Sequence, residues 1–316
     1  MARAAFVVPG GVGAVTGGNL YDSYVIRALE QVGWQVSVDE PGGGPVDADV
    51  VVIDSLAFSY GPPRTDVTVV ALAHQLPSEA NRRPEWEQAE ERTLASASLV
   101  VVVAEHLREA VSRLTDAPID VISPGRDHAW ARDGATLEEN VVVCVANAVP
   151  GKGVPDAITA FREAGILDGE LVVVGHERDE REAEAIRRAA GSDPSVRFAG
   201  LVGRESLAEL YAGACLFLTA STYEGWPIAV SEAMASGLPI VGFDAPGVRD
   251  LVRSGRDGVL VPAGDVTALS EAIRHMFQDR SRAREMGASA RERALGWPTW
   301  EETGDRFVRA LAKLVA

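Results

Sequence analysis

The sequence predicts an α/β protein of two doubly wound parallel-sheet (Rossmann-like) domains facing each other. Three observations predict it. Short, unbroken runs of β-branched residues alternate with longer amphipathic stretches. The alternation stops once near the middle and then restarts. Glycine-rich turns follow the ends of three of the apolar runs. Unbroken apolar runs mark strands covered on both faces, and strand–helix alternation is the pattern of parallel sheets.

In the first half the strands are expected at Ala4–Pro9, Gln35–Asp39, Asp49–Asp54, Val67–His74, Leu99–Glu105 and Asp120–Gly125. Helices are expected between them at Leu20–Val32, Glu85–Ser96 and His106–Leu114, where apolar residues recur at helical spacing. The polar stretch Gly125–Val141 lacks that periodicity and reads as a linker. The second series places strands at Val141–Asn147, Glu170–Gly175, Val196–Gly200, Leu216–Ser221, Pro239–Asp244 and Gly258–Pro262. Its helices are Val154–Ala164, Asp179–Ala190, Arg204–Ala212, Ile228–Ser236, Val266–Gln278 and Arg280–Leu295. A last amphipathic helix follows, with Phe307, Leu311 and Leu314 on one stripe and Trp297 and Trp300 as packing anchors. The domains expected are 1–130 and 131–296, with a helix at 297–316 packing back toward the first.

Composition narrows the function. The 316 residues are 47% hydrophobic and 24% charged, enough for two cores, and the formal net charge is −16. An acidic surface repels nucleic acid and anionic lipid, so a phosphate ligand must be held by local donors. Cys144 and Cys215 both lie in apolar runs and read as reduced core thiols, which suits a cytoplasmic protein. The opening "ARAAFVVPGG" reads as a strand and turn, not a signal peptide, and no apolar run reaches the length of a bilayer span.

The glycine turns carry the chemistry. In "PGGVGAVTGGNLYDSY", Gly17 and Gly18 precede Asn19 and a helix whose first N–H groups attract anions. The spacing is not that of a dinucleotide fingerprint, and a plain strand–helix turn is an equal alternative. In "VANAVPGKG", Lys152 stands between glycines before a helix, a place suited to a diphosphate, although a solvated loop lysine also fits. In "STYEGWPIAVSEAMASG", Glu224 ends a strand and Glu232 follows on the next helix, with seven residues between them. Carboxylates accept hydrogen bonds from sugar hydroxyls. Two carboxylates beside a phosphate grip describe a nucleotide-sugar pocket.

These segments resemble glycosyltransferase family 4, the retaining group 1 transferases of GT-B architecture. The resemblance rests on "EGWPIAVSEAMASGLPIVGFDAPGVRDLV", "VPGKG", "VRFAGLV" and "RSGRDGVLVPAGD", and more loosely on the opening Gly-Gly loop. It implies that Glu232 binds ribose hydroxyls, Glu224 contacts the donor sugar, and Lys152 neutralises the departing diphosphate. It implies that Gly225, Trp226, Pro227 and Ile228, with Gly17 and Gly18, hold sugar and phosphate through backbone N–H groups. Asn19 joins them in the donor loop. It implies that His74 is a catalytic residue touching the sugar, with Glu224 and Lys152, and that neither a metal nor a cofactor is needed. Where relatives carry an arginine on the diphosphate, this chain has Asn147, so one positive charge is lost from the leaving-group grip unless Asn147 hydrogen-bonds instead or Arg126 or Arg249 substitutes.

The expected activity is retaining, metal-independent transfer of a hexose-type sugar from a nucleoside-diphosphate sugar to an acceptor hydroxyl. The acceptor is a small molecule, a glycan or a lipid-linked sugar. The two glutamates belong to one strand–helix unit, so they do not flank a bond as a hydrolase pair does. Three other readings remain: a nucleotide-sugar epimerase of the same architecture, a non-catalytic partner of another transferase, and a nicotinamide oxidoreductase.

Overall fold

The computed structural model describes residues 2–13, 16–42, 47–61, 67–80, 83–131 and 140–315. The chain divides into two compact units, one of Met1–Gly125 with Pro298–Ala316 and one of Arg126–Trp297.

The first unit opens with β1 (Arg3–Val7), α1 (Gly17–Gln31), β2 (Gln35–Asp39) and β3 (Val50–Asp54). A 3-10 turn at Ser55–Tyr60 leads to β4 (Thr68–Ala73) and the single-turn helix α2 (Pro77–Ala80). Then come α3 (Glu87–Ser96), β5 (Leu99–Val102), α4 (Glu105–Val111) and β6 (Ile119–Val121). The sheet order is β2-β1-β3-β4-β5-β6, with every pairing parallel. The chain turns one way from β1 to β2 and the other way from β3 onward. The switch point therefore lies between β1 and β3, where ligands of such sheets gather at the strands' carboxyl ends. β3 and the last five residues of β4 are buried throughout, as their unbroken apolar sequence requires.

β6 is shorter than expected, because Pro118 and Pro124 bracket it and proline has no N–H to give the ladder. The chain's last helix, α12 (Trp300–Ala312), starts with a capping box at Thr299 and Glu302 and packs on α1. Trp300 stacks face to face on Tyr24 with centroids 4.2 Å apart, and buried Phe307 lies 6.1 Å from Phe6. These aromatic contacts supply the apolar area that joins the helix to the first sheet.

The second unit runs β7 (Val141–Val145), α5 (Val154–Ala164), β8 (Glu170–Val174), α6 (Glu180–Ala190), β9 (Val196–Gly200) and α7 (Arg204–Gly213). It continues with β10 (Leu216–Thr219), α8 (Ile228–Ala235), β11 (Ile240–Asp244), α9 (Val248–Leu251), β12 (Gly258–Pro262), α10 (Val266–Gln278) and α11 (Arg280–Leu295). The order β12-β11-β10-β7-β8-β9 puts its switch point between β7 and β10. The short helix α9 was not read from the sequence; four residues carry too little periodicity to register.

The stretch expected as a linker begins inside the second unit. His128–Ala131 form a 3-10 turn, and Trp130 is buried edge-on against Tyr211 at 5.5 Å. The boundary thus falls after Gly125 and not after residue 130. Residues 132–139 of that stretch lie outside the described residues.

Gly258 shows how tightly the second sheet is packed. A Cβ built there would meet the Ile240 carbonyl oxygen at 1.9 Å. Gly258→Ala is therefore expected to cost about 3 kcal/mol through overpacking against backbone that cannot yield. A lower urea midpoint with an unchanged slope is the readout.

Candidate active site

In the second unit, the loops after β7 and β10 meet at the switch point. The Thr222 N–H donates to the Gly151 carbonyl at 2.9 Å, and the Glu224 N–H donates to the Pro246 carbonyl at 3.1 Å. The glutamate loop is thus tied to the lysine loop on one side and to the loop after β11 on the other. Gly153 adopts φ +63°, and a Cβ there would lie 2.0 Å from the Ala220 carbonyl oxygen. Only glycine allows this approach, which sets the lysine loop directly against the end of β10.

That clamp brings Lys152 and Glu224 together. The Lys152 ammonium donates to both Glu224 oxygens, at 2.7 and 2.8 Å. The lysine side chain is 32% exposed and the glutamate 12%. The cation is therefore reachable from solvent, while the carboxylate behind it is largely covered. Both α5 and α8 begin without a side-chain cap, whereas α6, α10 and α11 are capped by aspartates. Uncapped helix starts leave N–H groups available to an anion. Gly225 and Pro227 are buried, and Trp226 and Ile228 are half-buried. Pro227 has no N–H, so it shapes the entry to α8 and donates nothing. Trp226 packs edge-on to Trp297 at 5.5 Å, so Trp297 anchors the glutamate loop as well as its own segment.

Asn147 is not a free stand-in for an arginine. Its side-chain oxygen accepts the His176 N–H at 3.0 Å and so pins the loop after β8. The two arginines considered as substitutes are engaged locally. Arg126 donates to the Trp297 carbonyl at 3.2 Å, and Arg249 pairs with Asp244 at 2.9 Å.

Glu232 sits half-buried on α8, with the Tyr211 hydroxyl 3.5 Å from its carboxyl. Burial pushes its pKa up to about 8, against the pull of Arg204 and of the Tyr211 hydrogen bond. Arg204 lies over the Trp130 ring at 5.7 Å and pairs with Asp127. Sequence reading missed Arg204, Tyr211 and Trp130. No local motif marks them, and only the fold brings α7 and the 128–131 turn to Glu232.

The first unit has its own cluster at its switch point. The His74 Nε2 lies 2.9 Å from Asp22 Oδ1 in hydrogen-bond geometry. It lies 3.1 Å from Asp54 Oδ2, close but not aligned for a second full hydrogen bond. Asp22 and Asp54 are buried, and the His74 side chain is 13% exposed. Burial works against the imidazolium, but the two carboxylates outweigh it and raise His74 to about 10. Burial raises Asp22 to about 6, partly offset by His74. Among the described residues, this is the group of ligating side chains close enough together for an ion; the ring N–H between two carboxylates accounts for the spacing by itself.

Gly17 is exposed, and Gly18 lies against His74, where an added Cβ would meet the ring at 3.1 Å. Asn19 is committed internally. Its N–H is capped by Thr16 at 3.0 Å and its side-chain amide donates to the Gly11 carbonyl at 3.1 Å. It therefore orders the glycine loop.

Among the described residues, no helix is long and apolar enough to cross a membrane. The profile of the family described as glycosyl transferases group 1 matches residues 129–293. The GDP-mannose-dependent alpha-mannosyltransferase of Mycobacterium tuberculosis (strain CDC 1551 / Oshkosh) is 28% identical over 249 residues, covering 74% of this chain and 62% of that protein. The chain spans about six-tenths or less of the length of the curated relatives it matches. The sucrose-phosphate synthase of Thermosynechococcus elongatus superposes with a TM-score of 0.83 at 21% identity, over 99% of both chains. Anabaena HepE, solved in complex with UDP-glucose, gives 0.83 at 16% identity, over 99% of this chain and 100% of that one. These likenesses show the fold, two doubly wound α/β units of GT-B architecture. The chain belongs to the group 1 glycosyl transferases.

Proposed function

We propose that the chain moves a hexose-type sugar from a nucleoside-diphosphate sugar to an acceptor hydroxyl, with retention of anomeric configuration and without a metal ion. The observation that carries this reading is the Lys152 ammonium at a switch point, reachable from solvent and bordered by the uncapped starts of α5 and α8. A fixed cation and fixed N–H dipoles stabilise the charge that develops on a departing diphosphate. Glu232 takes the ribose hydroxyls, Glu224 takes sugar hydroxyls and positions Lys152, and His74 serves the transfer step. The similarity to a GDP-mannose-dependent mannosyltransferase and to a protein solved with UDP-glucose supports a nucleotide-sugar donor. The two free, buried thiols Cys144 and Cys215 support a cytoplasmic setting.

A thermal-shift screen against uridine, guanosine, adenosine and thymidine diphosphates and their sugars tests the reading, since a ligand of the native state raises Tm. One nucleotide is expected to raise it without added metal, and its sugar is expected to be consumed only when an acceptor hydroxyl is supplied. Consumption without an acceptor and with epimerised sugar would assign the chain to an epimerase. No shift with any nucleotide would remove the donor site.

A further inference from the structure

The cluster in the first unit has an imbalance that a mere packing histidine would not need. Two carboxylates, both essentially without solvent contact, converge on one ring nitrogen. Asp54 uses its other oxygen to accept the Leu56 N–H at 2.6 Å, so part of its burial is compensated locally. Asp22 has no such contact: its Oδ2 is buried with no hydrogen-bond partner. A buried carboxylate without compensation is costly, so a cation between the two is the arrangement that lowers the charge of the set.

We propose that Asp22 and Asp54 are positioning residues that keep the His74 imidazole doubly protonated, so that its Nδ1–H donates a hydrogen bond to an oxygen of the bound substrate and the ring does not act as a proton acceptor. The Nε2–H is given to Asp22, with Asp54 Oδ2 beside it at ion-pair distance, which leaves Nδ1–H as the ring donor for the substrate. Among the described residues, the ring's side-chain neighbours are acidic or aromatic. From α1, Tyr21 meets the ring edge-on at 5.2 Å, and its hydroxyl donates to the Ile122 carbonyl at 3.0 Å. From β3 comes Asp54, and α12 contributes the apolar rings of Trp300 and Phe307, packed on Tyr21. The raised pKa of His74 agrees with the geometry. A cationic donor lends positive charge to an oxygen that gains electron density, and it cannot at the same time accept a proton from the attacking hydroxyl. The charge state stands by itself; only what Nδ1–H serves rests on the transferase reading.

Long-range proton–nitrogen NMR on the isotope-labelled chain tests this, with the His74 signal identified by its loss in His74→Gln. In the unaltered chain both ring nitrogens are expected to stay protonated to about pH 9. In Asp22→Asn and in Asp54→Asn the titration midpoint is expected to fall by about 1–3 units, the shift typical of losing an adjacent opposite charge. Transfer by the Asn variants is then expected to lose kcat, with KM for the donor nearly unchanged, as the pH rises through that new midpoint. Asp22→Asn decides the matter alone if Asp54→Asn fails to fold for want of the Leu56 contact. A neutral His74 at about pH 7 in the unaltered chain overturns the proposal. So do unchanged titrations in the Asn variants, or one divalent ion per purified chain that a chelator removes. The NMR result stands whether or not any donor is turned over, which separates this proposal from the transferase reading.

Discussion

Lys152→Ala is expected to lower kcat/KM for sugar transfer by about 100-fold or more and to weaken nucleoside-diphosphate binding, while the fold survives. Two effects act in the same direction. The substitution removes the fixed positive charge nearest the uncapped helix starts. It also strips Glu224 of the Lys152 counter-charge, leaving a largely covered carboxylate where the diphosphate is expected to dock. A diphosphate arriving there meets repulsion in place of attraction. The double change Lys152→Ala with Glu224→Gln separates the two. It is expected to regain part of the nucleotide affinity, because the repulsion is gone, and little of the transfer rate, because the cation is still missing. The fold survives because the loop is held by backbone: Gly151 accepts from Thr222, and Gly153 is pressed against Ala220. Titration calorimetry and initial rates check both variants. A Lys152→Ala enzyme within a factor of about three of the parent would show that the lysine serves only the Glu224 pair.

The contrast between what the sequence disclosed and what it hid follows from range. The strands could be read because a strand buried on both faces must be apolar along its whole length, as Val50–Ile53 and Val70–Ala73 are. The lysine and glutamate loops could be read because their chemistry is local: glycine, lysine and helix start are contiguous. Asp22 and Asp54 could not be read in this way. Asp22 looks like an ordinary polar residue in the first turns of α1, and its burial against His74 arises only when α1 packs over the sheet. Asn147 shows the same limit: its position suggested a ligand contact, and the fold adds a hydrogen bond from a backbone N–H 29 residues away in sequence. Trp130 sat in a stretch without periodicity, and a single buried ring leaves no periodic trace.

Glu232 carries the second large expectation: nucleotide-sugar affinity should strengthen by at least about tenfold between pH 6 and pH 8. With a pKa near 8, the carboxyl is mostly protonated in the ligand-free protein at neutral pH. A protonated carboxyl offers one donor and weaker acceptance, whereas two ribose hydroxyls are best matched by a carboxylate. Binding that selects the ionised form must first remove the proton, at a cost of about 1.4 kcal/mol for each unit that the pH lies below the pKa. The sign for stability runs opposite to that for binding. A carboxyl whose folded value is raised stabilises the ligand-free fold fully below the ordinary carboxylate range, and that contribution is lost as pH rises through about 8. Donor and fold thus make opposite demands on one proton, and the burial that raises the pKa is the cause of both. The probe has to be an intact nucleotide sugar, whose diphosphate is esterified at both ends and does not titrate in this window. Glu232→Gln, a neutral side chain of the same shape, is expected to bind with a flat pH profile at about the level of the unaltered protein near pH 6. A flat profile in the unaltered protein, or a Gln variant that keeps the pH slope, would mean that Glu232 does not read the donor through its charge.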